Sequence, residues 1–279
     1  MQAQPEQSDY RWLWDCSDGC SRRTRNGVAV VIIGCNRPDK KQERGVHLIT
    51  EGPDMSASQI DHITVTAASL SVGAEFVHQT LGVMPQAGGK HPRMGTHNLL
   101  LRLGASLFLE IISPDPEGAA PGRPRWFGLD NLRPSAPPSL AAWVIRTDDI
   151  KSAASGSSES LGDIELMTRG DIEWSITIPA DGEIPLDGAA PALIEWHTAV
   201  HPAAMLEDYG LSLAGLEIFH PQPARIARLL QSIDCSGPVK VSPACDGMPS
   251  CLVAHIDTPQ GVRVLSFPSF PSSGHVFFA

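Results

Sequence analysis

The chain has 279 residues, 42% of them hydrophobic and 19% charged. That is enough apolar material for a sizeable core and excludes wholesale disorder, while 24 prolines and 25 glycines exclude long helical bundles and coiled coils. Lys and Arg number 21 against 31 Asp and Glu, a formal charge of −10 that repels phosphate backbones, so no nucleic-acid partner is expected. No apolar run reaches the roughly 18–20 residues that a membrane helix needs. The run Val28, Ala29, Val30, Val31, Ile32, Ile33 is strand-length, and the polar text from Asn36 to Lys41 offers no signal cleavage site, which gives a cytoplasmic reading. The cysteines (16, 20, 35, 235, 245, 251) read as ordinary reduced thiols, with Cys16, Cys20 and His47 as a remote metal alternative.

Residues 1–54 are polar and lack periodicity. They read as a flexible extension, or as a misassigned start with Met55 as the true one. From there the pattern turns to α/β alternation. Residues 60–66 alternate and are β-branched, which predicts a strand. Leu70, Ala74, Val77 and Leu81 share one helical face, with Gly82 as the cap. A short strand is expected at 83–86, a turn at Gly88 and Gly89, and strands at 97–103 and 107–112. After a loop rich in Pro, Gly and Arg over 117–139, the same order returns: strand 140–146, helix 149–161 capped by Asp148 and Asp149, and strands 163–167, 172–178 and 192–196. A third copy reads as strand 213–219, helix 223–233 and strands 239–242, 251–257 and 262–267. The expected fold is α+β, with repeated βαβββ modules forming cupped, partly open mixed sheets. Two modules (58–115 and 140–198) make a domain over 55–205, and 206–279 is a third βαβββ-like module.

This repeat resembles the building block of the vicinal oxygen chelate superfamily. Ile60, Asp61, His62, Ile63 resembles its first strand, and Leu107 to Ile112, with Glu110 inside, its fourth. The stretch from Gly88 and Gly89 through His91, Gly95, Thr96 and Asn98 resembles the glyoxalase-like domain family within it. So do Met167 to Gly170 with Trp174, and Pro191 to Trp196. The resemblance covers about 58–235. It implies a divalent metal (Fe, Mn, Ni or Zn) held by His62, Glu110 and Glu195, with no organic cofactor. It further implies Glu110 and Glu195 as carboxylates that move protons, and His91, Thr96, Asn98, Arg169 and Trp174 as substrate contacts.

Physically, a His and a carboxylate on neighbouring strands can converge on one cation, which then polarises a substrate bearing adjacent oxygens. Glu110 lies inside Leu, Phe, Leu, Glu, Ile, Ile, where an ionised carboxylate needs a partner, either a cation or an Arg such as Arg102. At the place of His62, module two offers Ala142 or Trp143 and module three Gly215 or Leu216, so the four-ligand set is incomplete; Glu217 and His220 are the nearby substitutes. His197 and His201 read as surface or loop residues. The leading expectation is a metal-dependent small-molecule enzyme of lyase, isomerase or dioxygenase type. The rival is a metal-free protein that sequesters a ligand in the same cup, as bleomycin-resistance proteins do, and a third possibility is a scaffold without chemistry. The cup can close within one chain or across a homodimer.

Overall fold

The computed structural model describes residues 58–245 and 247–266, together with the backbone of a two-stranded hairpin, β1 (Arg23–Arg25) and β2 (Val28–Val30). Apart from that hairpin backbone, the readings placed on residues 1–54, including Cys16, Cys20 and His47, lie outside the described residues.

The first module runs β3 (Ser58–Thr66), α1 (Leu70–Leu81), β4 (Gln86–His91), β5 (Thr96–Arg102) and β6 (Phe108–Pro114). Helix α1 starts where the Ser69 hydroxyl accepts from the Val72 amide, and stops at Gly82 in the left-handed region (φ 78°). Its buried face is Gly73, Ala74, Val77 and Leu81, the apolar spacing legible in the sequence. The second module runs β7 (Ser139–Arg146), α2 (Ile150–Gly156), β8 (Asp163–Arg169), β9 (Ile172–Ile178) and β10 (Ala192–Trp196). Helix α2 ends at Gly156, five residues short of the expected span; Gly156 and the serines that follow it are poor helix formers.

In both modules the last strand returns to lie parallel to the first, β6 beside β3 and β10 beside β7. The two first strands then pair antiparallel, and one mixed sheet runs β4-β5-β6-β3-β7-β10-β9-β8. The protein is therefore α+β, with a strongly curled mixed sheet at its centre. The curl brings the two edge strands together. Arg93, just past β4, donates to the Leu166 carbonyl of β8 at 3.0 Å and pairs with Glu165, which also pairs with Arg123.

Side-chain alternation gives this sheet two faces. On β6, Leu109 and Ile111 join the core that includes Val77 and Leu81 of α1, while Ile112 joins a second core on the concave face with Met94, Trp126, Trp174 and Ile176. The remaining strands are β11 (Ser212–His220), β12 (Cys235–Ser236), β13 (Val239–Pro243), β14 (Cys251–Thr258) and β15 (Gly261–Ser266), with α3 (Pro223–Ser232) after β11. Their element order follows the expected repeat, but their pairing does not. β12 leaves to pair with β3, and the others form a separate sheet, β13-β11-β14-β15. Here the first strand is parallel to the strand that follows the helix rather than to the last. Ile226, Leu229 and Leu230 of α3 pack in the same core as Ile63 and Trp143.

Two local expectations fail. The short strand expected at 83–86 begins only at Gln86 and runs on to His91. Gly88 and Gly89 do not form a turn; they lie within β4, and the chain reverses at residues 92–95 instead. The pairing of β4 with β5 is irregular between Ala87 and Lys90, which is where the two glycines sit.

Candidate functional site

The concave face holds a pocket of about 430 Å³, measured to its open mouth. Aromatic walls come from Phe108, Trp126, Trp174 and Trp196, and its polar groups are His62, His91, Asn98, Glu110 and Arg169. Each reaches it by strand parity: Asn98 on β5, Glu110 on β6, Trp174 on β9 and Arg169 at the end of β8.

His62 gets there through a bulge. The register of β3 against β7 shifts between Ile60 and His62, so Asp61 has no partner of its own. Ile60 therefore packs in the outer core, while Asp61 and His62 both turn inward. Regular alternation would have put neighbours on opposite faces; here Asp61 Oδ1 lies 2.6 Å from His62 Nδ1. Asp61 is fully buried, and its other oxygen, Oδ2, accepts from Trp196 Nε1 and His201 Nε2, both at 2.8 Å. Burial alone would raise its pKa, but the hydrogen bonds from His201 and His62 outweigh that and hold the carboxyl well below the usual range. An ionised Asp61 can only accept, so His62 donates to it from Nδ1 and turns Nε2 to the pocket. His201 is fixed in the same way: its Nδ1 accepts from the Ala203 amide at 3.2 Å, so Nε2 is the donor to Asp61. His62 also stacks on Phe108, ring centres 4.6 Å apart.

His62 Nε2 faces Glu110 Oε2 at 3.7 Å. Glu110 is buried, and its partners are side chains of the neighbouring strands: Asn98 Nδ2 donates to Oε1 at 2.6 Å and the Thr64 hydroxyl to Oε2 at 3.4 Å. Arg102 is not among them; it bonds the Gly104 carbonyl and pairs with Asp208. Asn98 in turn accepts on Oδ1 from the Gly89 amide at 2.8 Å and from Arg169 at 3.3 Å. This explains the paired glycines. A Cβ on Gly88 would lie 2.1 Å from Asn98 Oδ1, and one on Gly89 would lie 2.4 Å from Arg169 Cδ. The bare backbone of β4 lets an amide reach Asn98 and lets the arginine stem lie flat across the strand. Burial lowers the pKa of Arg169, with the charge of Glu110 working against it. Among the described residues, only one of its five N–H groups is engaged, leaving the others for a ligand.

His91 packs edge-on to Trp126 and Trp174 and shares its Nδ1 with the Thr96 hydroxyl at 3.2 Å, while Thr96 also accepts from Trp126 Nε1. Burial, then the charges of Arg169, His62 and His97, push the His91 pKa down to about 3, so this ring is neutral. Thr96 is wholly buried beneath it and does not line the pocket.

Glu195 is elsewhere. Ile194 and Trp196 line the pocket, so Glu195 between them points to the opposite face. There Oε2 accepts from the Ile150 amide at 2.9 Å, at the start of α2. Glu195, expected as a metal ligand beside His62 and Glu110, therefore does not share the pocket with them. Glu217 is bound by Lys240 and Ser242, and His220 accepts from the Gln222 amide, so neither joins the site. His197 bonds Ser175, away from the pocket lining, whereas His201, expected at the surface, is tied to Asp61. Asp61, His201, Trp126 and Trp196 were missed by sequence reasoning. The adjacent Asp and His in an apolar strand were the available signal, masked by the assumption of regular alternation.

The divalent metal that the fold implies does not fit this donor set. Among the described residues, no three His, Cys, Asp or Glu side chains converge. The inward positions of β10 are Ile194 and Trp196, and Val144 of β7 pairs with His62, so module two adds no ligand. The Arg169 guanidinium brings a positive charge to the same cavity. No helix among the described residues is long and apolar enough to cross a membrane.

A comparison with curated proteins finds no match. Among solved structures, the chain is similar to a hypothetical protein from Staphylococcus aureus, at 11% identity and a TM-score of 0.48, over 67% of this chain and 86% of that one. It is also similar to a variant of 4-hydroxymandelate synthase from Streptomyces coelicolor (16% identity, TM-score 0.39, 76% of this chain and 63% of that one). A variant of methylmalonyl-CoA epimerase from the same organism is a third likeness (16% identity, TM-score 0.35, 51% of this chain and 100% of that one). The sequence profile of the glyoxalase-like domain family matches residues 60–233, which is more than half of the chain. With the paired βαβββ modules and their shared curled sheet, this match shows that the chain belongs to the glyoxalase-like domain family.

Proposed function

We propose that the cup binds a small carboxylic acid carrying an oxygen on the neighbouring carbon, and that His62 exchanges a proton with it without a protein-held metal. The observation that carries this reading is His62, held at Nδ1 by Asp61 with Nε2 turned into an aromatic-walled pocket that also holds Arg169 and Glu110. The free edge of the Arg169 guanidinium suits a carboxylate, which it can bind with two parallel hydrogen bonds. A carbonyl beside that carboxylate makes the next C–H bond acidic. His62 Nε2 takes that proton, the electron pair of the C–H bond moves into the enolate oxygen, and Arg169 stabilises the charge in a site from which the indole walls exclude water. Return of a proton from His62 to the same carbon re-forms the carbonyl and completes the exchange. Glu110, 3.7 Å from His62, supplies a second proton acceptor beside the first.

Pyruvate is the simplest probe. Titration into protein treated with a chelator should show binding that weakens about 10–100-fold in Arg169→Ala, the loss of a charge-assisted bidentate contact. In heavy water the methyl protons of pyruvate should exchange at a rate that falls at least about 100-fold in His62→Ala. Binding with no His62-dependent exchange would leave a sequestering protein. Exchange that appears only with added divalent metal, and a metal content lost in both His62→Ala and Glu110→Ala, would overturn the metal-free reading.

A further inference from the structure

A second pocket of about 350 Å³ adjoins the first, and the two share Trp126, Phe127 and Ile176 as a common wall. Its lining is almost wholly apolar, with Leu161, Ile178, Ile184 and Ala192 prominent. Of its two polar side chains, Thr177 is spent accepting from the Leu193 amide, and Glu183 accepts from Asn131. Glu183 is exposed, so the buried part of the lining is apolar apart from Thr177.

The rim of this pocket is built rather than left over. Phe127 sits in the left-handed region (φ 57°), which costs a residue with a Cβ about 1–2 kcal/mol. The next residue, Gly128, donates to the Gly182 carbonyl at 2.9 Å and clasps the two loops together. Gly182 is itself left-handed (φ 74°), and a Cβ there would lie 2.2 Å from the Arg125 carbonyl oxygen, so the clasp needs glycine. The strained backbone stands the Phe127 ring against Trp126, at the boundary between the two pockets.

We infer that the site takes an amphiphilic acid, its oxygenated head against Arg169 and His62 and its unbranched apolar tail passing Phe127 into the second pocket. This rests on the reading of the head group given above. The tail is the occupant because the second pocket borders the first at Phe127 and its buried lining is apolar. A wholly polar ligand would gain nothing from it.

The test is a homologous series of straight-chain 2-oxo acids from three to ten carbons, titrated into the chelator-treated chain. Affinity should rise about fourfold for each methylene once the tail passes Phe127, the value of burying one CH₂. In Ala192→Phe, and in the milder Ala192→Leu, that rise should be cut off while pyruvate binds as before; Leu covers the case in which Phe is too large to fold. A series that binds through Arg169 but is flat in chain length, or that rises equally in both variants, overturns the tail proposal and leaves the head reading intact. A series in which no member binds overturns both.

Discussion

Acid sensitivity offers the sharpest check on how the pocket is built. His91 is 4% exposed, edge-on to two indoles, and its pKa is pushed down to about 3, chiefly by burial and then by Arg169, His62 and His97. In the unfolded chain it should titrate near the ordinary value of about 6.5. As pH falls below that value the unfolded state takes up a proton that the folded state refuses, so stability is lost from about pH 6.5 downward and levels off near pH 3. Between about pH 7 and about pH 5 this one side chain should remove about 2 kcal/mol of unfolding free energy. Asp61 acts lower: its folded pKa is lowered, so its contribution is lost only below about pH 4, outside the range between about pH 7 and about pH 5. Urea unfolding at several pH values in that upper range, for the wild type and His91→Gln, measures the difference. Gln keeps a partner for Thr96 but does not titrate, so its stability should change with pH by about 2 kcal/mol less. Equal slopes for the two proteins would refute the burial argument for His91.

Two further expectations separate the faces of the sheet. Glu195→Ala removes the carboxylate that accepts from the Ile150 amide, and should cost about 1 kcal/mol in chemical denaturation with pyruvate affinity unchanged; a loss of binding at intact stability would put Glu195 back in the site. Gly89→Ala places a methyl 2.4 Å from Arg169 Cδ, a flexible stem that can move aside, so binding should fall about tenfold, as a single charge-assisted contact would, with little change in melting temperature. The same substitution leaving affinity untouched would show that the flat lie of Arg169 does not matter.

Sequence periodicity was enough for most strands and for the first helix of the two modules, because alternation and the spacing of Leu70, Ala74, Val77 and Leu81 are local properties that burial on one face imposes; β4 and the end of α2 were misplaced. The motif text was enough to single out His62, Asn98, Glu110 and Arg169, which the curled sheet brings to one pocket. Other features depended on pairing between distant residues, which no local pattern encodes. An extra residue in β3 turned Asp61 inward and made His201 its partner. Strand parity on β10 sent Glu195 to the outer face. Contact with Asn98 on the adjacent strand required Gly88 to be bare, and contact with Arg169 across the sheet's two edges required the same of Gly89, where a turn had been expected. Diversion of β12 to β3 left the last strands to pair in an order unlike the modules before them. A side chain's face follows from register, and register is decided by which strands meet, so these assignments belong to the tertiary structure.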